Sequence, residues 1–89
     1  MKELTVQDAI TVVDRRWPVQ RSKIRNMASL AADRGDSKAE FVERYCSYMT
    51  EHLYPNWIEE FGSDQATDMI AYQANKFGIF LEIEYPNWK

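Results

Sequence analysis

Cys46 and His52 are the chain's sole cysteine and sole histidine, the residue types a thiolate nucleophile and its general base require. They stand six positions apart. On one helix that is about 240° of rotation, so a single helix cannot bring them together. A lone histidine near a helix C-terminus is explained by the helix dipole or by packing at a core edge. Asp64 and Asp68 share a helix face and could hold a hard cation with waters, but the ligand spacing of a calcium loop is absent. The sequence also lacks a glycine-rich phosphate loop, a G-x-S-x-G turn and a zinc spacing. The inventory predicts a protein that is not an enzyme and holds no cofactor or metal.

Two other patterns carry interaction chemistry. The tetrapeptide YPNW occurs twice, at residues 54–57 and 85–88. Its Pro and Asn suit turns, and Tyr and Trp either cover core edges or anchor a partner. Charge is the second pattern. Between residues 14 and 26, Arg15, Arg16, Arg21, Lys23 and Arg25 face one acid, whereas between 51 and 84 Glu51, Glu59, Glu60, Asp64, Asp68, Glu82 and Glu84 face only Lys76. Helix dipoles and solvated faces account for such a split; so does an acidic surface that docks on a basic protein, such as one that handles nucleic acid. The leading expectation is an inhibitor or adaptor whose partner-binding surface comprises Tyr54, Trp57, Glu59, Glu60, Asp64, Asp68, Glu82, Glu84, Tyr85 and Trp88.

Residues 30–42, LAADRGDSKAEFV, resemble the turn of a helix-turn-helix: Leu-Ala, a Gly five residues after the Leu, Ser two further on, and an apolar Phe41. That resemblance implies a DNA-binding regulator, with Arg15, Arg16, Arg21, Lys23, Arg25 and Lys38 as the nucleic-acid contacts. Arg34 and Asp36 flank Gly35 where such turns carry apolar residues, and Glu40 and Glu43 on the second helix would be repelled by phosphate. DNA reading is therefore the second expectation.

These residues must be positioned by helices. Ser37 and Glu40 form a capping box, and Phe41, Val42, Tyr45, Met49 and His52 follow as one apolar face. Glu40 and Arg44 are spaced for an ion pair one turn apart. Pro55 predicts an end near Leu53. Upstream, Thr5 with Asp8 caps a helix over residues 6–16, stopped by Pro18, and a second helix over 21–34 stops at Gly35. Downstream of a short segment closed by Gly62, Ser63 caps a helix over 64–77 ending at Gly78. In residues 79–85, Ile79, Leu81, Ile83 and Tyr85 alternate with Glu82 and Glu84, the period of a half-buried strand. Its partner would be residues 2–6, a second copy of the chain, or another protein. The third expectation, a structural subunit, assembles as a homodimer through that strand.

The predicted fold is mainly α: a bundle of about four helices around the central one at residues 37–53, with a C-terminal strand or extended tail, the alternative being α+β with a small sheet. At 89 residues, with 45% hydrophobic and 28% charged side chains, a single domain with one core is expected. No apolar leader or membrane-length run is present and one cysteine excludes an internal disulfide, so the expected setting is the cytoplasm.

Overall fold

Pro18 lies inside a helix instead of ending one. In the computed structural model, which describes residues 5–89, α1 runs unbroken over Val6–Arg34. A proline in a helix interior removes one backbone bond and costs about 3 kcal/mol. Across it, however, Val13, Trp17, Gln20 and Ile24 continue the helical period, and fully buried Val13 and Ile24 each return about 1.5–3 kcal/mol. Burial on both sides wins, and the two helices expected at 6–16 and 21–34 are one rod. Thr5 caps it with Asp8 in a reciprocal pair of hydrogen bonds at 3.0 and 3.1 Å. Its end is at Gly35, left-handed at φ 83°, with the amides of Gly35 and Asp36 returning to Ala32 and Ala31. Of the N-terminal strand considered at 2–6, residues 2–4 lie outside the described residues, while Thr5 and Val6 cap and begin α1.

The second rod also passes a proline. It comprises α2 (Lys38–Tyr48), a π turn (Met49–Leu53) and α3 (Tyr54–Phe61). The expected capping box is present: Ser37 and Glu40 exchange hydrogen bonds of 3.1 Å each. Glu40 is engaged there, and Arg44 approaches Asp36 at 3.8 Å rather than Glu40. The end expected near Leu53 and the turn expected at 54–57 are corrected, because the chain stays helical to Phe61. The Tyr54 amide donates to the Met49 carbonyl, five residues back, which widens the ladder just where Pro55 has no N–H to give.

That wide turn also sets the phase of the core. Phe41, Tyr45, Met49, Leu53 and Trp57 are all buried and recur at a strict spacing of four, with Phe61 packed behind them. In a regular helix each such step drifts by about 40°. Over five steps the stripe would rotate by about 200°, putting Phe61 nearly opposite Phe41; one extra residue in the turn takes back about 100°.

The third rod, α4 (Ser63–Glu84), begins after the single connecting residue Gly62 at φ 91°. Ser63 is its first residue and not its cap. The stop expected at Gly78 and the strand expected at 79–85 are both corrected. Phe80 and Leu81 are buried and continue the stripe of Ala66, Met69, Gln73 and Phe77, so the helical period prevails over the alternation of the isoleucines and glutamates. Gly78 is exposed with open space around it, and a helix interior tolerates an exposed Gly at a cost of about 1 kcal/mol.

Three rods, not four helices, therefore build the domain, and the described residues contain no strand. Arg16 meets Glu60 across the first hairpin, Tyr45 meets Gln73 and Tyr54 meets Thr67 across the second, so the order is up, down, up. α1 and α4 thus run parallel and in contact, as Trp17 on Phe80 and Arg25 on Glu84 require. At the centre the Tyr45 ring stacks on Phe77 at 4.1 Å, and its hydroxyl accepts 2.9 Å from the buried Gln73 amide. Burial pushes the Tyr45 hydroxyl up to about 12, against the lowering by Gln73.

Candidate functional site

Folding consumes part of the charge that the linear sequence segregates. Arg16 makes a two-pronged pair with Glu60 at 2.8 and 3.2 Å, and Arg25 pairs with Glu84 at 2.9 Å. Asp14 accepts from both Lys76 and the Tyr72 hydroxyl at 2.9 Å. The hydrogen bond from Lys76, then that from Tyr72, holds the Asp14 carboxyl below its usual value, and Arg16 does the same to Glu60. Four of the residues named from sequence as partner or nucleic-acid contacts are thus held by one another: Arg16 with Glu60, and Arg25 with Glu84. These pairs tie α1 to α3 and α4.

Among the described residues, the remaining nucleic-acid candidates do not converge. Arg15, Arg21 and Lys23 lie on different sides of α1, Arg21 about 240° and Lys23 about 80° from Arg15. Lys38 donates to the Tyr85 carbonyl at 3.4 Å. The segment resembling a helix-turn-helix is a tight antiparallel hairpin, as the Arg16–Glu60 pair far from its turn shows, whereas helices of that motif cross at about 90–120°. Phe41 and Tyr45 of its second helix are turned into the core.

The aromatic candidates are drawn inward. Trp57 is 3% exposed and belongs to the core. Tyr54 is half-buried with its hydroxyl 2.9 Å from Thr67 Oγ1. The second YPNW does form a turn, closed by the Trp88 amide on the Tyr85 carbonyl. It folds back: the Trp88 ring lies 5.1 Å from Phe41 and its indole N–H donates to the Asp36 carbonyl at 3.1 Å. Tyr85 packs edge-on against Phe80 and Trp88. The tail thereby bolts the end of α4 to the α1–α2 connection.

Several carboxylates remain exposed and, among the described residues, without a cation. Glu59, Asp64 and Asp68 lie on either side of the Gly62 corner, and Glu82 stands on the outer side of α4. On α2 and the π turn, Glu43 and Glu51 border a shallow furrow of about 470 Å³ with Tyr48 and His52, whose rings approach to 5.4 Å. Cys46 is exposed. No group of three or more His, Cys, Asp or Glu side chains among the described residues is arranged to hold a metal.

Sequence reading missed the groove between α1 and α4. Ile79 and Ile83 are 53% and 72% exposed there, beside half-buried Trp17, over a floor that includes Phe80. Its signal was in the sequence: read at helical period, Ile79 and Ile83 lie one turn apart and off the core stripe. No described helix is long and apolar enough to cross a membrane. Comparison with protein-family models, with curated proteins and with solved structures finds no match to this chain.

Proposed function

We propose that this domain is a non-enzymatic protein-binding module, an inhibitor or adaptor that sets an acidic face against a basic partner. The observation that supports the reading is how charge remains distributed after the internal pairs are made. Arg16, Arg25 and Lys76 are each engaged by a carboxylate, while Glu43, Glu51, Glu59, Asp64, Asp68 and Glu82 stay exposed on the second rod and α4. Among the described residues, the cations without a partner are Arg15, Arg21 and Lys23 on α1 and Lys89 in the tail, while Lys38 and Arg44 of the second rod turn to the Tyr85 carbonyl and to Asp36. An acidic face opposite a weakly basic one steers and orients a basic partner more than it adds affinity. Tyr85 and Trp88 contribute by fixing the end of α4 that carries Glu82.

Affinity capture from host lysate, at low and high salt and with a nuclease-treated arm, tests this. A partner that survives nuclease, is released by salt, and is lost when Glu59, Asp64 and Asp68 are changed together to lysine supports the acidic face. Capture unaffected by that triple reversal, with helical circular dichroism intact, refutes it. Capture abolished by nuclease moves the weight to nucleic-acid binding through α1.

A further inference from the structure

The α1–α4 groove is a second surface with a different preference. It has a volume of about 340 Å³ and is lined by Trp17, Tyr72, Ile79, Phe80 and Ile83, with Arg21 at its α1 wall. Two of its three charges are already satisfied: Lys76 is held by Asp14 and lies 5.2 Å over the Trp17 ring, and Glu84 is held by Arg25. Arg21 differs. Its guanidinium makes no hydrogen bond or ion pair among the described residues, and its Nε is shielded from water with no acceptor. A shielded donor without an acceptor is unfavourable, and a carboxylate is the strongest acceptor for an arginine fork.

We infer that this groove receives an amphipathic α-helix of another protein, which lays branched aliphatic side chains over Trp17, Ile79 and Ile83 and delivers one Asp or Glu to Arg21. A helix is favoured over an extended segment because the groove walls are themselves helices. Their backbone groups are internally bonded and offer no ladder to a strand, whereas a docking helix satisfies its own backbone. The carboxylate follows from Arg21 being the groove's one uncompensated charge. This surface is independent of the acidic face, whose test residues lie outside it.

The test is a phage library of helix-patterned peptides, randomised on one face and selected on the wild-type domain with Ile83→Glu as counter-selection. Enriched peptides should carry aliphatic residues one turn apart and an Asp or Glu at a fixed offset. Their affinity should fall at least tenfold on Arg21→Ala, and nitrogen-15 spectra should show the Trp17 indole shifting on binding. Selection on Arg21→Glu should replace the acid by Lys or Arg. Failure to enrich, enrichment without a fixed acid, or affinity indifferent to Arg21→Ala would overturn the inference. So would a concentration-dependent dimer in sedimentation that Ile83→Glu abolishes, since the occupant would then be a second copy of this chain.

Discussion

Tyr45 and Gln73 show how a polar pair is held in a core this small. Gln73 is 1% exposed; its amide nitrogen serves the Tyr45 hydroxyl, and its Oε1 has no partner among the described residues. Replacing Gln73 by Leu leaves the tyrosine hydroxyl buried and unpaired, a loss of about 1–3 kcal/mol. Replacing both, as Tyr45→Phe with Gln73→Leu, removes the polar demand altogether. Urea denaturation of the two single variants and the double should therefore give a strongly non-additive cycle, with the double more stable than Gln73→Leu alone. Additive losses would mean that the 2.9 Å contact carries no coupling. The spacing of Ala66, Met69, Gln73 and Phe77 along α4 puts Gln73 on the core face, and that much is legible in the sequence. Its partner was not, since Tyr45 lies 28 positions away and only the second hairpin brings the two together.

At the scale of elements, the two interior prolines are where local rules and tertiary packing disagree. Pro18 and Pro55 each carry the local chemistry of a helix stop, yet each is absorbed, the first by burial on both sides and the second by the π turn. The strict spacing of four from Phe41 to Trp57 requires that turn, because a uniform helix would rotate Leu53 and Trp57 away from the core. Deleting Thr50, which lies in the turn and is exposed, in a Pro55→Ala background should therefore restore a regular ladder without moving the downstream stripe, because the residue lost and the wide turn lost each change the phase by about 100° in opposite senses. The expected outcome is a stability within about 1 kcal/mol of the Pro55→Ala parent, since Leu53 and Trp57 both keep their places in the core. Guanidinium unfolding measures it. A deletion variant several kcal/mol less stable than that parent, as expulsion of Leu53 and Trp57 from the core would make it, would show that the turn does not set the phase.

For the whole molecule, acid sensitivity should track the pairs that tie α1 to the other rods. Asp14 and Glu60 have carboxyl pKa values below their ordinary 3.8 and 4.5, so their contribution is complete above those values and is lost as pH falls through the lower folded values. Both side chains are about half exposed, which limits each pair to about 0.2–1 kcal/mol. Asp14→Asn and Glu60→Gln should each be less stable than the parent at pH 7, and the difference should shrink to nothing once the pH falls well below 4. Thermal melts between pH 2 and 7 decide it; a gap that persists at pH 2 would assign the loss to packing rather than charge.

Two caps and two glycine stops were determined by the sequence alone, although Ser63 and Gly78 carry the same local signals and neither caps nor ends a helix. Thr5 with Asp8, Ser37 with Glu40, and the ends at Gly35 and Gly62 each rest on hydrogen bonds or backbone angles within a few residues of one another, so the local chain contains the whole cause. The mainly helical class and the core stripes at Ile24, Ala28 and Ala31 and at Ala66, Met69, Gln73 and Phe77 follow equally from periodicity. Tertiary structure decided the rest. Whether residues 79–84 alternate as a strand or turn as a helix depended on Phe80 finding Trp17 and Leu81 finding the core, contacts more than fifty residues away for Trp17. The surface was decided in the same way: the charge split written along the chain became the Arg16–Glu60 and Arg25–Glu84 pairs because the up-down-up order lays the basic stretch of α1 beside the acidic ends of α3 and α4. Which charges remain for a partner is a property of that juxtaposition, and no local stretch contains it.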